Sequence, residues 1–329
     1  MTQQDDKKKL IIFDSNAVIH RAYHALPPLT TKDGKLVNAV YGFLLVFLKA
    51  ISDFSPDFMA AAFDLPAPTF RHKIYKEYKA KRPKAPADLY AQIPIIKEIL
   101  GVFGVKIFEK EGFEADDLIG AIANLANKKG SPEEISVIIV TGDLDTLQLV
   151  DENTKIYFLR KGVKDTILYD KNSVADKFGG LLPDQMVDYK SLRGDPSDNI
   201  PGVKGIGDKT AIWLLSEFRT LEGIYEGIEK KSKKADNLAP KLKETLLKYK
   251  DQALLSKELV LLEKNVPINF NLKECKWGNY DKGRVASALS DLEFYSLVKR
   301  IKNGGFKKEN LILGKTRENP AVEKQGKLL

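Results

Sequence analysis

The carboxylates Asp14, Asp64, Glu114, Asp116, Asp117, Asp143, Asp145, Asp195 and Asp198 are the residues of this chain whose types and placing could do chemistry together. A lone Asp after an apolar run is an ordinary turn former or helix cap, and any one of these alone would be read that way. Seven of them, however, follow four separate apolar runs, and Glu114, Asp116 and Asp117 crowd a single helical turn. Their mutual repulsion outweighs the ~0.3–1 kcal/mol per charge that a helix dipole returns, so a counter-ion is needed. Carboxylates without His or Cys partners select hard, oxygen-seeking cations, which favours Mg²⁺ or Mn²⁺ over Zn²⁺. His20, His24 and His72 show no ligand spacing and are expected in core or surface roles.

The last two acids open residues 192–211 (LRGDPSDNIPGVKGIGDKTA), where a second kind of phosphate chemistry follows directly. Gly202, Gly205 and Gly207 allow a sharp turn, and Asp208 stands at the N-cap position of a helix over 209–218. Such a turn points N–H groups outward and the helix start adds partial positive charge, so a phosphate can dock on backbone alone. An ordinary Gly-rich helix–turn–helix with a capping Asp would share this sequence, and it is the acids elsewhere that favour the phosphate reading. Residues 70–86 (FRHKIYKEYKAKRPKAP) carry seven Lys or Arg against one Glu, interleaved with Phe70, Tyr75 and Tyr78. Taken alone this is a solvated amphipathic helix. Leaving directly from Asp64, it can hold a nucleic-acid phosphate and stack a base on a ring. The charge runs 7–9 and 229–234 are not tied to the acids and read as solvated surface.

Positioning these side chains requires a sheet. Apolar runs at 10–13, 57–63, 105–108 and 135–140 read as strands, the first ending on Asp14, the second followed by Asp64 and the last by Asp143 and Asp145. Helical periodicity at 40–54, 93–100 and 114–127 alternates with them. Strands alternating with helices imply an α/β fold with a parallel, doubly wound sheet, whose ligands gather at the carboxyl ends of the strands. From about residue 169 the strands stop, and 174–178, 183–192, 209–218, 240–250, 253–262 and 287–301 read as helices. The expected organisation is an α/β domain over 1–170 with its basic segment at about 65–90, a helical domain over 171–303, and a polar, basic tail or linker over 304–329.

With 329 residues, 43% of them hydrophobic, the chain has the material for one large core or two smaller ones. A net charge of +8 points weakly toward a polyanionic partner. The single cysteine, Cys275, excludes an internal disulfide and fits a reducing compartment. No signal peptide or membrane span is legible, so a cytoplasmic protein with no membrane partner is expected.

The motifs IIFDS, AFDLPAPTFR, GFEADD, TGDLDTLQL and GDPSDNIPGVKGIGDKTA, in this order, resemble the 5′ nuclease domain of bacterial DNA polymerase I and the related flap endonucleases. The resemblance runs over residues 10–301 and implies a PIN-like sheet with a helix-hairpin-helix motif. It also implies cleavage of DNA at a 5′ end or flap, in replication and repair, by two divalent metals. Carried over residue by residue, all nine acids match the family's metal ligands, and Arg71, Tyr78, Lys79 and Arg82 match a basic helical arch over the site. Gly202, Lys204, Gly205 and Gly207 match a duplex-binding hairpin where the family also holds a K⁺ ion. Ser15-Asn16 departs from the Gly that usually follows the first Asp there. The resemblance places one metal nearer Asp14, Asp64, Asp116, Asp117 and Asp143, and the other nearer Asp145, Asp195 and Asp198. Lys79 and Arg82 would orient the phosphate. A monomer is expected, either free-standing or continued by a polymerase region. A ribonuclease of related PIN-like sheet architecture and a non-catalytic nucleic-acid-binding protein remain as alternatives.

Overall fold

The computed structural model describes residues 7–128 and 134–302, so the expected linker over 304–329 lies outside the described residues. In chain order the first half runs β1 (Lys8–Asp14), α1 (Ser15–Ala25), α2 (Asn38–Phe54), β2 (Phe58–Ala62), α3 (Phe70–Ile74), α4 (Ala87–Tyr90), α5 (Ile93–Val102), β3 (Lys106–Phe108), α6 (Ala115–Ala126) and β4 (Ile135–Thr141). A hairpin, β5 (Thr154–Lys161) and β6 (Asp165–Tyr169), completes the sheet. Its strand order is β3-β2-β1-β4-β5-β6. The first five strands are parallel and β6 runs antiparallel at the edge. The doubly wound sheet is thus as expected for four strands, while the β5–β6 hairpin was not foreseen.

Alternation along the strands splits the core into two. Leu10 and Ile12 of β1, with Val137 and Ile139 of β4, face α6 and the helical part of the chain. Ile11 and Phe13, with Ile138 and Val140, face α1, α2 and α5. This two-sided burial is why both strands are apolar throughout rather than alternating with polar residues. Chain direction across the sheet reverses between β1 and β4, because β2 and β3 build outward on one side and β5 and β6 on the other. A crevice opens at such a switch point.

The remainder is helical: α7 (Lys171–Lys177), α8 (Met186–Arg193), α9 (Asp208–Phe218), α10 (Leu221–Glu229), α11 (Lys233–Asp236), α12 (Pro240–Lys248), α13 (Lys250–Val260), α14 (Lys282–Asp291) and α15 (Tyr295–Lys302). Residues 287–301, expected as one helix, form parts of two, because Glu293 takes a φ of 60° and its N–H turns back to Ser290. These two helices do not join the core that α6 shares with α8, α9 and α10. Val285, Leu289, Leu297 and Ile301 join the core on the α2 side of the sheet, so the chain's last described helices belong structurally with its first half. Cys275 sits just before this return, 1% exposed, and burial pushes its thiol up to about 11, which makes it inert at neutral pH. Among the described residues no helix is long and apolar enough to cross a membrane.

Candidate active site

Asp14 ends β1 and starts α1 in one residue: its Oδ1 accepts the Ala17 N–H at 3.1 Å and caps the helix. Thr141, at the end of the neighbouring β4, donates to its other oxygen. Burial pushes the Asp14 carboxyl up to about 7; the two hydrogen bonds only partly offset it, and repulsion from Asp64 and Asp143 adds to the rise. Asp64 leaves β2 beside it and accepts the Ala115 N–H at 2.7 Å, which ties it to the start of α6. Asp116, on that first turn, is raised well above the usual carboxylate range by burial and then by Asp14, Asp143, Asp64 and Glu114. A cluster that resists its own ionisation is what a divalent cation would relieve, so the donor set fits a hard metal.

These acids line a cleft of about 330 Å³ with Asn16, His20, Lys79, Arg82, Glu114, Asp143 and Asp198. A second cavity of about 410 Å³ adjoins it, lined by Asp143, Asp145, Lys190, Arg193 and Asp195 among others. Asp143 is common to both. The structure therefore separates Asp198 from Asp145 and Asp195, with which it had been grouped, and sets it in the first cleft. The turn 195–200 makes this possible: Asp195 and Ile200 exchange backbone hydrogen bonds, so the two Asp side chains diverge.

Several acids are held by cations of the chain itself. Lys79 Nζ donates to Glu114 at 2.7 Å, Arg82 pairs with Asp198, and Lys190 donates to both Asp145 and Asp195. Burial works against the ionised form of Glu114, yet Lys79 and Arg71 hold its pKa below the ordinary value. At Asp195 burial is likewise overcome, by Lys190 and by hydrogen bonds from Ser197, and the carboxyl falls to about 2. With side chains so placed, no three carboxylates among the described residues stand in ready ligand geometry. They line the cavities; cations would have to draw them together.

Asp117 is the exception among the acids. Fully buried, it receives both terminal nitrogens of Arg71 at 2.8 Å and the N–H groups of Glu114 and Glu263 at 3.0 and 2.9 Å. Expected as a metal ligand, it instead fixes the start of α6. Arg71 was expected on DNA but is 1% exposed, and its Nε and Nη2 also donate to the carbonyls of Leu259 and Leu261, locking the basic segment to the end of α13. Tyr78, likewise expected on DNA, is 3% exposed and donates to Glu114 or Asp198, so its ring is not free to stack a base. The segment itself is no continuous helix: after the five residues of α3 it runs in turns, with Lys79 at a φ of 55°. Its Lys79 N–H bonds Asp198 O at 2.9 Å, so the segment is docked on the acidic turn.

In the Gly-rich hairpin, Gly202 and Gly205 take φ of 60° and 85°. Gly202 is buried, its N–H bonded to Ser256 and its carbonyl to Gln252, which removes it from the expected DNA contacts. Lys204, Gly205 and Gly207 are exposed. Asp208 is the first residue of α9 rather than its cap, which is Gly207, and its carboxylate takes Tyr189 and Arg193 instead.

The family model described as "5'-3' exonuclease, N-terminal resolvase-like domain" matches residues 9–179, and "5'-3' exonuclease, C-terminal SAM fold" matches 181–283. The chain belongs to the 5′–3′ exonuclease family. DNA polymerase I of Bacillus subtilis (strain 168) is 40% identical over 296 residues, and that of Caldicellulosiruptor bescii 41% over 295. These alignments take in 90% and 89% of this chain but only 32% and 33% of the relatives, so the chain spans about a third of their length. Among solved structures, the T5 D15 protein crystallised with metal ions superposes with a TM-score of 0.62 at 17% identity, over 90% of this chain and 99% of that one. The catalytic core of Rad2 in complex with DNA substrate (complex III) gives 0.58 at 17%, over 91% and 92%. At such identity these likenesses establish the fold.

Within this family member, sequence reasoning missed four residues at the site. Thr141 and Lys190 gave no signal, since a strand-end Thr and a helical Lys are commonplace. Asn16 could have been noticed: its position after Asp14 was marked as a departure, and its Oδ1 accepts the Asp64 N–H at 3.1 Å. His20 lines the first cleft rather than the core or surface, and burial, then His24 and Arg82, lowers its pKa.

Proposed function

We propose that this chain is a divalent-metal-dependent 5′–3′ exonuclease and structure-specific 5′-flap endonuclease that hydrolyses DNA phosphodiesters. The observation that carries the reading is the convergence of carboxylates from β1, β2, the start of α6, the end of β4 and the turn 195–200 on two adjoining cavities that share Asp143. Two Mg²⁺ or Mn²⁺ ions, held by Asp14, Asp64, Asp116 and Asp143 on one side and by Asp145 and Asp195 with Asp143 on the other, would supply an attacking hydroxide and neutralise the leaving oxygen. Glu114 and Asp198 also line the first cleft, paired there with Lys79 and Arg82. Those two cations, turned from carboxylate to phosphate, orient the scissile group. Thr141 and the Ala17 N–H keep Asp14 aimed at the crevice. The amides of Lys204, Gly205 and Gly207 have no partner among the described residues, and they grip duplex phosphates without reading sequence. The same turn suits a K⁺ ion bridging backbone and phosphate.

The partner in this reading is DNA with a 5′ end or flap at a duplex junction, met by a monomer in the cytoplasm. The relatives named DNA polymerase I support a role in primer or flap removal during replication and repair, in a chain free-standing or continued by a polymerase region. A labelled 5′-flap DNA, incubated with and without Mg²⁺ beside a matched single-stranded RNA, tests the proposal. Metal-dependent cleavage confined to the flap DNA is expected. Cleavage of the RNA in its place would shift the reading to a ribonuclease, and binding without cleavage to a non-catalytic protein.

A further inference from the structure

Lys190 projects from α8 with only 15% of its side chain exposed, and its ammonium lies between carboxylates from two separate elements. One is Asp145, on the turn after β4; the other is Asp195, on the turn after α8, at 2.7 Å. Both residues line the 410 Å³ cavity, as does Lys190, the cation that joins them. The first cleft is built differently. There Asp14 and Asp64 are held by hydrogen bonds from Thr141, Ala17 and Ala115, with no Lys or Arg among the described residues in a salt bridge to either.

We propose that Lys190 is a resident counter-cation of the second metal position, exchanged for the metal ion when that position fills. The inference rests on the two-ion reading above. An ammonium and a divalent ion carry like charge, and both would need the same pair of oxygens, so they exclude one another. The exchange is feasible because a lysine is a point charge on a flexible four-carbon stem. The rest of the same cavity, walled by Phe178, Tyr189 and Arg193, gives the displaced ammonium room. Two consequences follow. Without metal, Lys190 holds the ends of β4 and α8 together across a pair of acids that would otherwise repel. With metal, the ion entering at Asp145 and Asp195 must first displace a bound charge, so this position fills after the first cleft and more weakly.

The test is calorimetric titration of the whole chain with Mn²⁺ in the absence of DNA, together with melting in EDTA. Lys190→Met keeps the stem and removes the charge, and Lys190→Gln is a second neutral replacement that can still hydrogen-bond either carboxylate. Each should tighten the weaker of two Mn²⁺ sites about 10-fold and lower the melting temperature in EDTA, whereas Lys190→Arg should do neither. Asp195→Asn should abolish the weaker site in any of these backgrounds. Two sites whose affinities do not change in both neutral variants would overturn the exchange and leave the two-ion reading intact. A single site in the native chain, unaltered by Asp195→Asn, would overturn that reading and the exchange with it.

Discussion

Asp143 is the carboxylate that both cavities share, and its Oδ1 also accepts the Asp145 N–H at 2.9 Å, which sets the direction of the following turn. Asn is nearly isosteric and keeps an oxygen for that hydrogen bond but loses the charge. Asp143→Asn is therefore expected to lose at least ~100-fold in single-turnover rate, about 2.7 kcal/mol in activation free energy. Affinity for 5′-flap DNA measured without metal should hold or rise, since one charge facing the phosphates is gone. Near-normal cleavage would remove Asp143 from the catalytic set. Arg71 calls for the opposite kind of measurement. Arg71→Met strips the buried Asp117 carboxyl of its guanidinium partner, so urea unfolding should show a loss of about 3–5 kcal/mol. A loss below ~1 kcal/mol would mean that the Glu114 and Glu263 amides suffice. The acids were legible because carboxylates after apolar runs have few ordinary uses in such number. The true partners of Arg71 and Tyr78 were not, because a cation count says nothing about which cations find an anion inside the fold. Leu259 and Glu263, which secure the Arg71–Asp117 pair, lie far along the chain from both.

At the scale of elements, the hairpin between α8 and α9 separates a structural glycine from an exposed one. A Cβ on Gly202 would meet the Gly194 nitrogen at 2.2 Å, whereas one on Gly205 meets nothing within 4 Å. Gly202→Ala should accordingly destabilise the fold, by about 1–3 kcal/mol or more, as other overpacked sites do. Gly205→Val should cost only the ~1–2 kcal/mol of a left-handed residue and act chiefly on DNA. Fluorescence anisotropy on several duplex sequences should show a uniform fall in affinity for Gly205→Val; no fall on any of them would make the hairpin purely structural. The four strands that carry or precede the acids could be read from the sequence because they are short, apolar and bounded by turn residues. The β5–β6 hairpin escaped because its charged ends, Arg160 and Lys161 against Asp165, dilute the apolar run. Its edge strand β6, mostly half-buried, carries no clean alternation. The break at Glu293 left no sign either, since Leu292 and Phe294 continue the helical periodicity through it.

For the molecule as a whole, the crowded acids set a balance between stability and readiness for metal. A cation that binds only the folded state adds stability by mass action, about 1.4 kcal/mol at ten times its dissociation constant. At roughly 1.5 °C per kcal/mol for a chain of this length, millimolar Mg²⁺ should raise the melting temperature by about 2 °C per bound ion over EDTA. Na⁺ at matched ionic strength should give less, and equal shifts from the two salts would count against a metal site. The return of α14 and α15 to the α2 side of the sheet bears on something else, the order in which the protein is made. A ribosome releases β1 first, yet Val285, Leu289, Leu297 and Ile301, which belong to the same core as Phe13 and Phe47, come last. At ~5–20 residues per second, the half-built core on that side waits for tens of seconds without its last two helices. The nascent chain cannot finish its first half and move on to its second, so whatever shelters it during synthesis must stay until nearly the last described helix has emerged.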